Sequence, residues 1–268
     1  MLRPNEPRVI KLKSPREINL MRAAGRVVAQ ALDQVQKLAV PGATTADFDA
    51  AVAAVFRAHG AVPLFKGYPS STKGKPPFPA VVCASINEQV VHGIPNRRAL
   101  RAGDVVSVDT GCRLNGWCGD AAITVAIPPI APEIQKLLDV TRETLDLSIR
   151  AMARCRTWSE VAGLMERFVK SQGMYVIEKF VGHGIGQDMH EEPQVPNFVS
   201  KALRKSDIRL EPGIVLAVEP MVALGTKEVR TLDDGWTVET KDRRFAAHFE
   251  HTVAMTPEGP RVLTYLND

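Results

Sequence analysis

The chain is sparing with the features that mark whole classes of protein. It has four cysteines among 268 residues (Cys83, Cys112, Cys118 and Cys155), and none stands in a C-x-x-C spacing. That argues against a disulfide framework and fits a reducing cytoplasm. No apolar run approaches the roughly 20 residues of a membrane span. The N-terminus, MLRPNEPRVIKLKSPRE, places prolines and charges where a secretory signal needs an apolar core. Net charge is only +4, too mild for a dedicated nucleic-acid binder, although five of the first sixteen residues are basic. What is present, 45% hydrophobic and 24% charged residues, is ordinary for a soluble globular chain. The length allows one large domain or two small ones, with a sizeable core.

Residues 1–13 read as an extended arm. Ser14-Pro15-Arg16-Glu17 then combines a cap residue, proline at the first helical position and a glutamate that closes a capping box. Ile18, Met21, Val28 and Leu32 carry an amphipathic helix to about Ala39, and Pro41-Gly42 ends it. Thr44-Thr45-Ala46-Asp47 opens a second helix that stops near Gly60. Gly67 to Pro79 is too rich in Pro, Gly and Ser for regular structure and predicts a surface loop, mobile at its Ser-Ser-Thr-Lys-Gly-Lys tip. A buried-type strand follows at residues 80–85, then a turn and a second strand ending at His92. After Pro128-Pro129 the pattern restarts with a helix from about Pro132 to Ala153 and a capping box at Thr157-Trp158-Ser159-Glu160.

Thr44 to Gly60 and Thr157 to Gly173 each span sixteen positions, and their apolar residues fall at matching offsets. Phe48, Val52, Val55 and Phe56 correspond to Val161, Met165, Phe168 and Val169. Each half reads helix, helix, strands. An internal duplication follows, with the interface between halves a natural place for a site.

The first half ends with GDVVSVDTGCRLNGWCGDAAIT, from Gly103 to Thr124. Its β-branched run and its Asn115-Gly116 dipeptide predict a hairpin with a two-residue turn. That turn sets Gly111 opposite Asp120, and side chains repeat faces with period two. Asp109 and Asp120 therefore project from one face as diagonal neighbours, about 7–8 Å apart and able to converge on a shared ion. Taken alone, two solvated aspartates beside a turn explain the pair better. The apolar run VVSV before Asp109 speaks for burial instead.

Further polar residues stand out in the second half. His183 sits among glycines in FVGHGIG, Glu219 ends the apolar run IVLAV, and Glu250 lies in a predicted strand over residues 245–253. An unpaired charge at Glu219 would be costly to bury. Alternation puts Glu250 on one face with His248 and Thr252, so a solvated face is open to it as well. His92 alone reads more readily as structural. Together Asp109, Asp120, His183, Glu219 and Glu250 form an oxygen-rich set suited to Mn²⁺, Fe²⁺, Co²⁺ or Zn²⁺ in a two-metal hydrolase. Four carboxylates approximately neutralise two divalent ions.

These residues and their surroundings resemble the type I methionine aminopeptidases over nearly the whole chain, from IKLKSPREINLMRAAG to FEHTVAMTPEGP. INEQVVHGIP, the Asp109 to Asp120 spacing, GHGIGxxMHEEPQ, EPMV and FEHT occur in the family's order. The resemblance implies an α+β "pita-bread" fold, two pseudo-twofold halves (about 14–128 and 129–268) around a central curved antiparallel sheet, in a single catalytic domain behind the arm. It implies a dinuclear site with Asp109, Asp120, His183, Glu219 and Glu250 as ligands. It also implies His92, His190 and Glu219 as catalytic residues, with both histidines in the substrate site and Phe65, Tyr68, Cys83 and Trp236 shaping a methionine pocket. The activity implied is removal of the N-terminal methionine from nascent chains and peptides, by metal-activated water, with a small uncharged second residue preferred. Met189 where relatives often have phenylalanine, Val91 where many have cysteine, and a longer Ser70–Pro79 segment are departures that bear on pocket shape.

A proline-specific peptidase of the same fold is the nearest rival. Those relatives usually carry an extra N-terminal domain, and only 91 residues precede His92. A type II methionine aminopeptidase would insert a subdomain between His183 and Glu219, which lie 36 positions apart. A metal-free binding protein would be expected to have lost ligands. Nothing in the sequence demands more than a monomer, and a transient ribosome contact through the basic arm has no specific motif behind it.

Overall fold

The computed structural model describes residues 9–70, 72 and 74–267, so the first eight residues of the expected arm lie outside the described part. Four long helices, α1 (Pro15–Leu38), α2 (Thr45–Ala58), α3 (Pro132–Met152) and α4 (Trp158–Ser171), are joined by the short α5 (Lys201–Lys205). The first half supplies β1 (Val62–Pro63), β2 (Cys83–Ile86), β3 (Gln89–Val91), β4 (Val105–Leu114) and β5 (Trp117–Ala126). The second supplies β6 (Tyr175–Val176), β7 (Gly182–Gly184), β8 (Glu191–Val195), β9 (Val215–Val218) and β10 (Met221–Ala223). It also supplies β11 (Val229–Thr231), β12 (Val238–Thr240), β13 (Ala246–His248), β14 (Glu250–Thr256) and β15 (Gly259–Val262).

The helix starts are those the sequence predicts, for a local reason. Glu17 accepts hydrogen bonds from the Ser14 amide and hydroxyl, and Asp47 does the same for Thr44. The otherwise orphaned first-turn donors are thus satisfied. Phe48, Val52 and Phe56 of α2 are fully buried, as are their counterparts Val161, Met165 and Val169 of α4. Both helices run for 14 residues, and their cap residues Thr44 and Thr157 each form an isolated antiparallel bridge, to Ala99 and Arg209. The duplication is therefore visible in burial and in pairing as well as in spacing.

A nine-stranded antiparallel sheet runs in the order β1-β4-β5-β14-β9-β7-β8, with β2 on β4 and β15 on β14. Its seam is the pairing of β5, from one half, with β14, from the other. Val106, Val108, Cys112 and Ala121 pack with Val28, Leu32, Phe48 and Phe56 in the core beneath α1 and α2. Alternation then turns Asp109 and Asp120 to the opposite face. The observed register of β4 and β5, with Gly111 opposite Asp120, is the one that Asn115-Gly116 dictates.

Two elements differ from expectation. The strand expected at residues 80–85 begins only at Cys83, because the amides of Val81 and Val82 donate to Asp49 of α2 rather than to a neighbouring strand. The strand expected at residues 245–253 is two strands broken at Phe249. β13 joins a separate sheet with β10 and β6, while β14 enters the main sheet.

Candidate metal centre

Two adjacent rows across the sheet build the site. In one, Asp109 lies opposite Ala122, and Ala122 opposite Glu250. Side chains in such a row share a face, and the methyl group of Ala122 leaves the space between the two carboxylates open. In the next row Gly111 pairs with Asp120, Thr252 with Ala217, and Ala217 with His183. Thr252 joins these pairs by accepting from the Asp120 amide at 3.1 Å and donating to its carbonyl at 2.8 Å. Gly111 is needed sterically: a Cβ there would meet Asp120 Oδ1 at 2.9 Å. Glu219 and Glu250 each stand one residue beyond the paired Val218 and His251.

The five residues named from the sequence thus converge. Ligand atoms of Asp120, His183 and Glu250 lie within 4.8 Å of one another. His183 Nε2 is 3.6 Å from Glu219 Oε1. His183 Nδ1 lies 3.0 Å from the Gly184 carbonyl, which only an N–H can satisfy, so Nε2 is left with its lone pair turned into the site. The solvated-face alternative for Glu250 is ruled out, since it is 2% exposed.

Electrostatically the set is unfinished without a cation. Burial, then the neighbouring Asp120 and Glu219, pushes the Asp109 carboxyl well above its usual range. Burial likewise raises Glu219 and Glu250, with Asp120 as the next cause for each. Asp120 is pushed up to about 7 by burial. Burial also holds His183 down to about 3. Asp109 Oδ1, Asp120 Oδ1 and Glu250 Oε1 are buried without any hydrogen-bond partner. Unpaired oxygens of this kind are expensive to bury, and divalent cations remove the cost. The donors fit divalent metal ions.

His248 was given no role from the sequence, yet it belongs here. Its Nε2 lies 3.9 Å from Glu219 Oε2 and 4.0 Å from Glu250 Oε2, and has no hydrogen-bond partner. The break at Phe249 brings it there, and only its place two residues before Glu250 hinted at it.

From these carboxylates a cavity of about 480 Å³ leads to an apolar end. Phe65 and Cys83 pack there with Phe78, Ala80 and Met189, and Tyr68 and Trp236 flank them, so all four pocket residues named from the sequence meet. Phe78 was missed because it belongs to the segment read as a surface loop. The described residues of that segment are irregular and mostly exposed, as a surface loop should be, but Phe78 turns inward. Phe78 meets Trp236 edge to face at 5.1 Å, Trp236 Nε1 donates to the Pro76 carbonyl, and Lys75 donates to the Asp233 carbonyl.

His92 and His190, the two histidines the resemblance puts in the substrate site, line the same cavity. His190 meets His183 edge to face, ring centroids 4.3 Å apart, and its Nδ1 is 2.9 Å from the Tyr68 hydroxyl. His92 follows β3 with φ +60°, an uncommon value outside glycine, and meets Phe180 edge to face at 5.3 Å. Burial lowers His92 to about 4, so its imidazole is neutral near pH 7, whereas His190 stands exposed on the cavity wall.

A family model described as metallopeptidase family M24 matches residues 19–257. The chain belongs to metallopeptidase family M24. Methionine aminopeptidase 1 of Bacillus subtilis (strain 168) is 40% identical to this M24 member over 256 residues, 96% of this chain and 99% of its own. Methionine aminopeptidase 1 of Mycobacterium tuberculosis (strain CDC 1551 / Oshkosh) is 42% identical over 266 residues, 96% of either chain. The crystal structure of a methionine aminopeptidase from Thermotoga maritima superposes with a TM-score of 0.89 at 38% identity, covering 96% of this chain and 100% of that one. A prolidase from Pyrococcus furiosus, at 18% identity and a TM-score of 0.71, covers 96% of this chain and 66% of its own, and shares the fold. The pita-bread architecture expected from the sequence is the one observed. No described helix of the M24 member is long and apolar enough to cross a membrane.

Proposed function

We propose that this M24 metallopeptidase removes N-terminal methionine from peptides and nascent chains when the second residue is small and uncharged. The observation that carries the reading is the junction of the carboxylate cluster with an apolar lining in one cavity. An apolar wall directly beside the cluster would receive the side chain on the amino side of the cut bond, which suits an exopeptidase. Its lining of Phe65, Phe78, Met189 and Trp236 suits an unbranched thioether.

Asp109, Asp120, His183, Glu219 and Glu250 would hold two divalent ions (Co²⁺, Mn²⁺, Fe²⁺ or Zn²⁺), which supply Lewis acidity and a water acidic enough to attack at neutral pH. Glu219, raised by burial, is the carboxylate suited to take the proton of the attacking water and pass it to the leaving amine. In this reading His190 carries its proton on Nε2 and accepts the Tyr68 O–H at Nδ1, 2.9 Å away, so Nε2–H would donate to the oxyanion that develops on the scissile carbonyl. His92 would contact the substrate amide near the leaving nitrogen. The Cys83 thiol is pushed well above its usual range, by burial and then by Asp109, and serves as pocket wall rather than nucleophile.

The working unit of this reading is a cytoplasmic monomer, one domain from residue 14 to 268 behind a basic arm. A ribosome contact by that arm would rest on Lys11 and the residues before it, since Lys13 is buried against Glu191.

Cleavage of Met-Ala-Ser, Met-Lys-Ser and Ala-Pro-Ser by metal-free protein, before and after addition of Co²⁺ or Mn²⁺, tests the reading. Metal-dependent release of methionine from Met-Ala-Ser alone is expected. Efficient hydrolysis of Ala-Pro-Ser, or of Met-Lys-Ser, would overturn it.

A further inference from the structure

Two features of the sequence are left over by the mechanism: the basic end of the arm, and the first glutamate after His190. They meet in the fold. Lys13 Nζ lies 2.7 Å from Glu191 Oε2, with the two side chains only 5% and 7% exposed. The other oxygen, Oε1, accepts the amides of Gln187 at 3.0 Å and Asp188 at 3.4 Å. These amides belong to the turn between β7 and β8, whose last two residues are Met189 of the apolar pocket and His190.

The packing around this pair leaves no slack. A Cβ on Gly186 would come within 2.5 Å of Glu191 Oε1 and 2.7 Å of Lys13 Cε, so the turn's backbone lies directly against the ion pair. On its other side the turn is tied to β5 by the Cys118 amide, which donates to the Gly186 carbonyl at 2.8 Å. Lys13 itself is fixed at the main chain, its amide donating to the Gly213 carbonyl at 2.7 Å, and the next residue is the α1 cap Ser14.

We infer that the Lys13–Glu191 ion pair is a positioning device: it fastens the end of the arm to the β7–β8 turn and sets where His190 and Met189 stand in the cavity. Lys13 touches no substrate and acts only through Glu191. Buried ion pairs contribute little net stability against an apolar replacement, and losing one partner leaves the other charge stranded. The inference rests on the role given to His190 above.

The test compares Lys13→Met, Lys13→Arg and the double variant Lys13→Met/Glu191→Gln in the full chain, at a temperature well below melting. Cleavage of Met-Ala-Ser in Co²⁺ or Mn²⁺ gives kcat and KM, and nitrogen-resolved NMR of the metal-free protein follows the histidine rings. Lys13→Met is expected to lose kcat at least tenfold with KM within about threefold, and to shift or broaden the His190 ring signals while those of exposed His59 stay. Lys13→Arg should restore most of kcat. The double variant, with neither charge stranded, should melt near wild type yet keep the kcat deficit, and it replaces Lys13→Met if that variant does not fold. Wild-type kcat with unmoved His190 signals in a folded variant lacking Lys13 would overturn the inference. If His190→Ala itself cleaves normally, the role of His190 fails instead, and the ring signals alone decide whether the pair positions the turn.

Discussion

Two populations of carboxylate in this molecule obey opposite rules. At the helix starts, Glu17 and Asp47 are saturated with hydrogen bonds. Bonds from the Ser14 amide first, and from the Thr44 hydroxyl first, hold them below their usual range. On the sheet, Asp109, Asp120 and Glu250 each keep a buried oxygen without a partner, and burial drives them and Glu219 upward. The first population stabilises the fold it belongs to. The second costs stability unless cations enter, which is the signature of a group retained for function. Burial and partners both separate the two, since the caps lie at the surface and the sheet set does not.

The sharpest way to break this contrast is to neutralise one member of the sheet set. Glu219→Gln keeps shape and removes charge. It should lower kcat by about 10²–10⁴-fold, the usual range for a general base. Without metal it should melt no lower than wild type, because one like charge has gone. Initial rates and metal-free thermal melts check both halves. Full turnover would remove Glu219 from the mechanism, and a large loss of metal-free stability would place it with the caps.

Asp104 is the intermediate case, buried yet saturated. Its carboxylate accepts from Arg98 at 2.8 and 3.0 Å, from the Arg101 amide and from Asn87. Burial pushes it up, but these donors prevail and hold it at about 2. A folded value below the unfolded one means stability that is present above pH 4 and lost as pH falls towards 2. Asp104→Asn should therefore be less stable than wild type at pH 7, by roughly 1.5–3 kcal/mol. The gap should close between pH 4 and pH 2 in melts across that range. A gap independent of pH would mean that shape, not charge, holds the root of the β4–β5 hairpin.

The smallest effect belongs to the caps. Thr44→Ala should cost about 1 kcal/mol. That corresponds to about 2–4 °C in a domain of this size. The kcat should be unchanged, as α2 lies on the far side of the sheet from the cavity. Melts and rates on one preparation suffice.

Legibility in the sequence followed the range of the forces. Ser14 with Glu17, Thr44 with Asp47, and Asn115-Gly116 act within a few residues, so the helix starts and the hairpin register could be read directly. Asp109 and Asp120 were legible as a pair because one turn fixes both. Glu219 and His183 stood out only as polar residues in apolar or glycine-rich surroundings; donor chemistry grouped them with the pair, and the family resemblance made them ligands. What escaped depends on contacts distant in sequence. Asp49 captures the Val81 and Val82 amides across 32 and 33 positions, the Phe249 break turns His248 inward, and Phe78 turns inward against Trp236.

The central claim is that the buried, unpartnered carboxylates exist to hold metal. Calorimetric titration of metal-free protein with Mn²⁺ or Co²⁺, alongside Asp109→Ala, tests it most directly. The account predicts that wild type binds two equivalents, and that Asp109→Ala binds fewer or far more weakly while remaining folded and losing Met-Ala-Ser cleavage. Binding of unchanged stoichiometry and affinity in Asp109→Ala, with cleavage intact, would contradict it.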